Sequence, residues 1–213
     1  MNLKVVSLDL DGTLVDSGFV TSVWHSGIPR LYAEKQGIGF EEAKRYVLAE
    51  YEKVGESAVE WYDIKFWLRH FHLDGSWQGL LAQFEGELRA YPEVRESLHQ
   101  LSERFTLVLS SNAAREFLDT EVGKCQLQPY FKQTFSATSD FGLVKKTPEF
   151  YLGVCRALSI EPGELAHIGD HWDFDYLVPR SLGITALYLD RSGQKKADFT
   201  ITDLSQVAAK LLP

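Results

Sequence analysis

Two aspartates, Asp9 and Asp11, follow an apolar and largely β-branched stretch at residues 3–8. This stretch contains no helix or strand breaker, and it predicts a buried strand. Residues two apart in an extended chain point the same way, so both carboxylates would project from the strand's carboxyl end. Like charges so close raise each other's pKa unless a cation lies between them. Such a pair suits a site where one carboxylate attacks and the other transfers a proton beside a metal.

The same residues admit a plainer interpretation. A strand followed by a polar Asp-Gly turn needs no chemistry, and this explanation is favoured for a bare Asp-x-Asp-Gly pattern. The longer run at residues 9–14, Asp-Leu-Asp-Gly-Thr-Leu, comes directly after an apolar strand. This combination favours a functional site.

A second polar cluster ends the strand predicted near residues 105–109, where Ser110, Ser111 and Asn112 follow one another. Hydroxyl groups and free backbone N–H groups near a helix start suit a phosphate group. An ordinary helix N-cap explains the same residues equally well.

Two neighbouring lysines, Lys145 and Lys146, come shortly before Pro148, which predicts a helix start. A lysine at a helix start is usually a solvated surface charge. A phosphoryl site that contains several carboxylates nevertheless needs a cation to balance them.

A fourth segment has a strand at residues 165–168, then Gly169, Asp170, Asp173 and Asp175. Carboxylates placed just after a strand suit a hard cation that prefers oxygen ligands. Acidic residues are also common in the first turn of a helix, because they interact favourably with its dipole.

Together the four segments resemble the four motifs of the haloacid-dehalogenase-like hydrolases, a superfamily consisting largely of phosphatases, and they occur in the family's order across nearly the whole chain. The resemblance implies that Asp9 attacks phosphorus and that Asp11 serves as the acid and base. Ser111 fits the second motif better than Ser110 does. The implied phosphate-binding residues come from the first three motifs: Gly12, Ser111, Asn112 and Lys145.

Lys145 is assigned by aligning Pro148 and Tyr151 with the third motif, which leaves Lys146 as a competitor. The resemblance implies Asp9, Ser111, Lys145 and Asp11 as catalytic residues. It also implies Mg²⁺ as the cofactor, with Asp11 contributing its backbone carbonyl and Asp175 holding either the lysine or a metal-bound water. The implied metal set is Asp9, Asp11, Asp170 and Asp175.

Strands that alternate with helices predict an α/β fold, with a Rossmann-like parallel sheet and helices on both faces. The core would comprise residues 1–16 and 91–213, with strands near residues 134–136, 184–189 and 198–201 and a helix near 173–182. Residues 17–90 predict only helices, broken near Gly27 and Pro29, and resemble the family's inserted α-helical bundle cap domain. Its candidate specificity residues are Trp24, His25, Arg30, Trp61, Tyr62, Lys65, Arg69 and His70.

The composition of the chain limits the kinds of partner that we expect it to bind. The 213 residues are 45% hydrophobic and 24% charged, with a net charge of -8, which argues against a broad nucleic-acid or membrane surface. Cys125 and Cys155 lack pairing or metal-ligand spacing and predict reduced thiols in a cytoplasmic protein. We expect a small phosphorylated substrate; monomer and homodimer both stay open.

The resemblance therefore predicts a magnesium-dependent phosphatase that forms an aspartyl-phosphate. A phosphomutase would use the same core. A metal-independent 2-haloacid dehalogenase would lack the second aspartate of the first motif, so Asp11 and Asp170 argue against that activity. A non-catalytic binding protein would be expected to have lost a motif residue, and none is lost.

Overall fold

The computed structural model describes residues 2–195 and 199–211. Within these residues six strands form one sheet whose pairings are all parallel, in the order β3-β2-β1-β4-β5-β6. This arrangement confirms the predicted α/β fold. In chain order the strands are β1 (Val5–Leu8), β2 (Thr106–Ser111), β3 (Gln133–Ser136), β4 (Leu165–Gly169), β5 (Thr185–Leu189) and β6 (Thr200–Ile201).

Strand β1 lies inside the sheet, between β2 and β4, and all four of its residues are buried. Leu8 is in register with Leu109 of β2 and with Ile168 of β4. Parallel strands end at the same edge of a sheet, where ligand sites form. Asp9 and the residues that follow Leu109 and Ile168 therefore begin at neighbouring points on one edge.

Residues 17–90 lie between β1 and β2 and contain helices but no strand; we call them the inserted segment. They include a π-helical turn at Val23–Gly27 and 3-10 turns at Val59–Tyr62 and Glu85–Glu87. The α-helices are α1 (Gly18–Ser22), α2 (Ile28–Gln36), α3 (Phe40–Val54), α4 (Ile64–His70) and α5 (Trp77–Ala82).

The two ends of the inserted segment lie side by side. Val15 forms a single antiparallel bridge with Ala90. Next to it, the backbone N–H of Asp16 donates to the carbonyl of Arg89 at 3.0 Å. The chain thus enters and leaves the inserted segment at adjacent points, which form one narrow connection.

Helices cover both faces of the sheet, as predicted. Val6 and Leu8 belong to one buried cluster and Val5 to another, because neighbouring strand residues point to opposite faces. The helices of the core are α6 (Val94–Ser102), α7 (Arg115–Lys124), α8 (Ala137–Phe141), α9 (Pro148–Leu158), α10 (Val178–Ser181) and α11 (Val207–Leu211). The first cluster includes residues of α6, α7 and α11, and the second includes residues of α9.

The helix break predicted near Gly27 and Pro29 is wrong. The π-helical turn passes directly into α2, which begins at Ile28. A Cβ atom on Gly27 would lie 2.8 Å from both Leu80 Cδ1 and Phe84 Cε2. The glycine therefore permits close packing of two helices and does not end one.

Two predicted elements differ in extent. The helix predicted over residues 173–182 is a π-helical turn at Trp172–Leu177 followed by α10. The edge strand predicted over residues 198–201 is β6, and Asp198 lies outside the described residues. None of the described helices is both long and apolar enough to cross a lipid bilayer.

Leu8→Ala tests how far the fold depends on the burial of β1. Leu8 is fully buried, and removing such a side chain leaves a cavity that costs about 2–5 kcal/mol. Leu177→Ala is the matched control, because Leu177 is 45% exposed and should change stability by about 0.5 kcal/mol or less. Urea unfolding of both variants gives the comparison; equal losses would contradict the central role of β1.

Candidate active site

A buried lysine lies between two aspartates at the edge of the sheet. Lys146 is 1% exposed. Its Nζ contacts Asp9 Oδ1, lies 2.6 Å from Asp175 Oδ1 and donates to the Ser110 carbonyl at 3.3 Å. One cation thus joins Asp9, which follows β1, with Ser110 near the end of β2 and with Asp175, which follows β4.

The structure does not place Lys145 at this position, which corrects the assignment made from the motif alignment. Lys145 Nζ lies 3.3 Å from Glu56 Oε1 of the inserted segment and 5.0 Å from the centre of the Phe174 ring. The N–H of Thr147 donates to the Lys145 carbonyl at 2.7 Å, which closes a tight turn just before α9. This turn directs the second lysine, Lys146, toward Asp9.

The pKa values of the three groups follow from this contact. Burial, together with Asp175 and Asp170, raises the pKa of Asp9 well above its usual range, and Lys146 opposes that rise. Burial lowers the pKa of Lys146, but Asp175 and Asp9 outweigh it and hold this pKa above its usual value. Burial also raises the pKa of Asp175, but Lys146 and His167 hold it well below normal. Lys146 therefore favours the ionised forms of both carboxylates and offsets the effect of burial more fully at Asp175 than at Asp9.

Both oxygens of Asp175 are engaged by protein groups. Asp175 Oδ1 lies 3.0 Å from His167 Nε2, and Oδ2 accepts from the His171 N–H at 3.0 Å. Behind them, His167 Nδ1 lies 3.0 Å from the hydroxyl of Ser7. Burial lowers the pKa of His167. Asp175 is thus fixed as the partner of Lys146.

The described residues include three carboxylates that could surround a cation: one oxygen each from Asp9, Asp170 and Asp175, all within 4.8 Å of one another. Asp175 Oδ1 contacts both Lys146 and His167, and its Oδ2 accepts from the His171 N–H. Asp9 Oδ2 accepts only a long hydrogen bond of 3.4 Å from the Thr13 hydroxyl among the described residues, so Asp9 and Asp170 fit a metal better. Asp170 lies against Gly12, where a Cβ atom would stand 2.2 Å from Asp170 Oδ2. Gly12 also has a φ of +75°, so both its position and its conformation require glycine.

The two candidate serines occupy different environments. The Ser110 hydroxyl accepts from Ser7 at 2.8 Å inside the sheet. The Ser111 hydroxyl accepts from the Ala113 N–H at 3.0 Å in the loop before α7. Of the two hydroxyls, that of Ser111 therefore contacts the loop that carries Asn112. Among the described residues, Asn112 Oδ1 is buried without a hydrogen-bond partner.

A buried glutamate lies next to Asp11. Glu121 of α7 is fully buried, and within the described part of the chain no N–H or hydroxyl donates to its carboxyl oxygens or to Asp11 Oδ1. Burial raises the pKa of Asp11 to about 6, although a hydrogen bond with Glu121 opposes the rise. Burial and Asp11 raise the pKa of Glu121 well above its usual range. Both carboxyls therefore bind a proton more readily than a solvent-exposed carboxyl does.

Sequence reasoning missed Glu121, although a signal was present. Glu121 follows Leu118 by three residues and Phe117 by four, so it shares the buried face of α7 with them. An acidic residue on an apolar helix face is uncommon unless it has a partner.

Arg191 was also missed, and it fixes the turn after Asp11. Its guanidinium donates to the carbonyls of Gly12 at 3.1 Å and Thr13 at 2.7 Å. The same group lies 3.5 Å from the centre of the Tyr91 ring and 2.8 Å from Glu93 Oε1. No spacing pattern links residue 191 to residue 12, so only the fold reveals this contact.

A cavity of about 360 Å³ opens beside Asp11, between the inserted segment and the start of α7. Asp11 and Asn112 lie at its wall. The other lining side chains belong largely to the inserted segment, and many are aromatic, including Trp24, Tyr51, Trp61 and Tyr62. The proposed acid and base thus faces enclosed space in which a substrate could bind.

The chain belongs to the haloacid dehalogenase-like hydrolases, whose family model matches residues 3–183. A crystal structure of a phosphatase of this superfamily from Thermococcus onnurineus is similar, with a TM-score of 0.84, 25% identity, and 99% of this chain and 98% of that chain covered. Glyceraldehyde 3-phosphate phosphatase of Pyrococcus furiosus is 24% identical over 96% of this chain and 91% of its own.

A shorter match is to the GMP/IMP nucleotidase YrfG of Escherichia coli, 32% identical over 73 residues. It covers 34% of this chain and only about a third, 32%, of that relative's length. The family is shown by the model match over residues 3–183, and this shorter match adds a relative named as a nucleotidase.

Asp11→Asn tests the environment of Asp11 in protein freed of metal by EDTA. The folded pKa of about 6 exceeds the ordinary 3.8, so between these values the folded state binds more protons than the unfolded state. Asp11 therefore makes the protein less stable as pH rises from about 4 to about 6. Across this window, the free energy of unfolding of Asp11→Asn should rise by up to about 3 kcal/mol relative to that of the wild type.

Urea unfolding at pH 4 and pH 7 measures this gain. Asp74→Asn, at an exposed position outside the site, is the matched control and should show no such difference. If the difference in free energy of unfolding between Asp11→Asn and wild type is the same at both pH values, the raised pKa of Asp11 is contradicted.

Proposed function

We propose that this protein is a magnesium-dependent phosphatase that hydrolyses a small phosphorylated metabolite through an aspartyl-phosphate. The observation that carries the proposal is the contact of buried Lys146 with Asp9 at the sheet edge that also bears Asp11 and Asp170. Membership of the hydrolase family supports it. So does the whole-length similarity to a glyceraldehyde 3-phosphate phosphatase.

Asp9 is the proposed nucleophile. Its contact with Lys146 favours the ionised carboxylate that an attack requires, despite burial. An Asp9 oxygen forms the new bond to phosphorus, and the bond from phosphorus to the leaving oxygen breaks. The carboxylate is then an acyl phosphate that water can hydrolyse.

Asp11 is the proposed acid and base. In the first step its proton goes to the leaving oxygen, and in the second step it takes a proton from the attacking water. The second step releases inorganic phosphate and restores the Asp9 carboxylate. A pKa raised to about 6 suits both directions, because a group that titrates near neutral pH can hold the proton and give it up.

The residues proposed to hold Mg²⁺ are Asp9, Asp170 and the backbone carbonyl of Asp11. Asp175 acts through Lys146, because its own oxygens are already engaged. A bound Mg²⁺ would offset the negative charge of the carboxylates and of the phosphoryl group. Ser111, Asn112 and Lys146 are the proposed phosphate ligands, with Lys146 in the role that the motif alignment gave to Lys145. The Gly12 N–H already donates to the Val15 carbonyl at 2.8 Å, so Gly12 is proposed only to let the backbone approach the phosphoryl oxygens.

The inserted segment, residues 17–90, is proposed to act as the cap, and residues 1–16 and 91–213 as the core domain. The narrow connection at Val15 and Ala90 supports this division. Such a cap would exclude water from the site when substrate binds. Two free, buried cysteines suit a reducing compartment, so we propose a cytoplasmic location.

The activity itself is tested with p-nitrophenyl phosphate. We expect hydrolysis with Mg²⁺, loss of turnover in excess EDTA and recovery when Mg²⁺ is restored. Asp9→Asn should show no turnover, because an amide cannot attack phosphorus. Asp173→Asn, which alters an aspartate outside the proposed set, is the matched control. Full activity in EDTA would exclude the metal role, and turnover by Asp9→Asn would exclude the nucleophile.

Substitution of each lysine separates the two candidates. Lys146→Ala removes a cation from a buried site, so kcat/KM should fall by roughly 10²- to 10³-fold. Lys145→Ala removes a partly exposed charge and should change kcat/KM only a few-fold. Lys146→Ala also leaves two buried carboxylates unpaired, so circular dichroism melts must show that the assayed protein is folded. A larger loss in folded Lys145→Ala would reverse the assignment.

A further inference from the structure

We propose that the cavity beside Asp11 binds a flat, uncharged aromatic leaving group, so that the preferred substrates are phosphate monoesters of alcohols that carry such a ring. This inference depends on the proposed phosphatase function and adds the substrate class. It concerns the part of the substrate beyond the phosphoryl group.

The cavity lies where the leaving group must go. Asp11 and Asn112 line it together with Trp24, Tyr51 and Phe117. Asp11 is the group proposed to protonate the leaving oxygen. An alcohol within reach of Asp11 therefore extends into this space of about 360 Å³, a size at the lower end of ligand pockets.

Aromatic rings form much of the cavity wall, and they hold one another in place. Trp24 stacks on Phe117, with ring centres 5.3 Å apart and planes at 25°. Tyr51 meets Trp24 and Trp61 edge to face at 5.9 and 6.0 Å. The Tyr51 hydroxyl donates to the Trp24 carbonyl at 3.2 Å. A preformed aromatic wall favours a flat ring, because ring–ring contacts add to the apolar area buried.

The charges around the cavity exclude an anionic leaving group. Among the described residues that line it, there is no lysine or arginine, whereas Asp11 and Glu52 are acidic. His25 is the one basic side chain in the lining within that part of the chain. A carboxylate or second phosphate on the substrate would meet two acids without a lysine or arginine to balance it.

Four of the five basic residues that the sequence offered as specificity contacts do not line the cavity. Lys65 contacts Glu116, Arg69 Nη2 lies 3.6 Å from Asp63 Oδ2, and His70 Nε2 lies 3.3 Å from Glu50 Oε2. Arg30 lies 6.0 Å from the centre of the Phe40 ring. Of those eight candidates the structure brings only Trp24, His25, Trp61 and Tyr62 to the cavity.

The test measures kcat/KM in the presence of Mg²⁺ for three alkyl phosphates: benzyl, ethyl and 4-carboxybenzyl phosphate. The first two have leaving alcohols of similar acidity, so a difference in kcat/KM reports binding of the ring and not chemical reactivity. Benzyl phosphate should exceed ethyl phosphate by roughly 10- to 100-fold, the scale of one stacked ring. The added carboxylate should lower kcat/KM by at least roughly tenfold, because its charge is unpaired.

Tryptophan variants locate the effect. Trp24→Ala should reduce the benzyl-to-ethyl ratio toward one. Trp61→Leu should also lower the ratio, and it replaces Trp24→Ala in the test if that variant does not fold. The substitution keeps the backbone carbonyl of residue 61, which accepts from Trp67 Nε1. Trp77→Ala is the matched control, because Trp77 lines a separate surface depression, and it should keep the wild-type ratio.

The outcomes separate the two proposals. If neither p-nitrophenyl phosphate nor any of the three esters is hydrolysed, the phosphatase function fails and this inference fails with it. If p-nitrophenyl phosphate is hydrolysed and benzyl phosphate is not, the phosphatase function stands and this inference fails. If ethyl phosphate reacts as well as benzyl phosphate, the phosphatase function stands and the aromatic pocket is excluded. Equal rates for the carboxylated and plain benzyl esters would exclude the charge argument, and an unchanged ratio in both Trp24→Ala and Trp61→Leu would exclude this cavity.

Discussion

The contact of one buried ammonium with two carboxylates, Lys146 with Asp9 and Asp175, is the interaction on which the site depends. Removing one partner from a buried ion pair typically costs about 3–5 kcal/mol, because a charge is left without compensation. The surrounding residues provide the compensation here. His167 and the His171 N–H satisfy Asp175, and Ser110 supplies a carbonyl to Lys146. The cluster is therefore held rigidly before any substrate binds, as electrostatic stabilisation requires.

Parallel pairing explains how residues so distant in sequence meet. Strand β1 has β2 on one side and β4 on the other, so the chain after each strand emerges at the same edge. Asp9 follows β1 directly, Ser111 ends β2, and Asp170 follows β4. Lys146 comes from the loop before α9 and completes the group. The sheet fixes the spacing of the carboxylates, and this loop supplies the cation that makes their proximity tolerable.

Asp11 lies between the core and the inserted segment. On the core side it neighbours the buried Glu121 of α7, and burial raises the pKa values of both carboxyls. On the other side it faces the aromatic cavity of the inserted segment. Arg191 holds the carbonyls of Gly12 and Thr13, so the turn after Asp11 is restrained. Proton transfer and leaving-group recognition are thus proposed to meet at one residue.

The sequence by itself determined the fold class and the positions of Asp9, Asp11 and Asp170, because polar residues after apolar strands of a parallel sheet gather at one edge. It assigned the motif lysine to Lys145, whereas the structure brings Lys146 to Asp9, since the tight turn at Thr147 depends on local backbone geometry that spacing does not encode. The contact of Asp175 with Lys146 and that of Glu121 with Asp11 join distant segments. The described residues that line the cavity, which include no lysine or arginine, also come from distant segments. Only tertiary structure decides such contacts, because each depends on which side chains packing brings together.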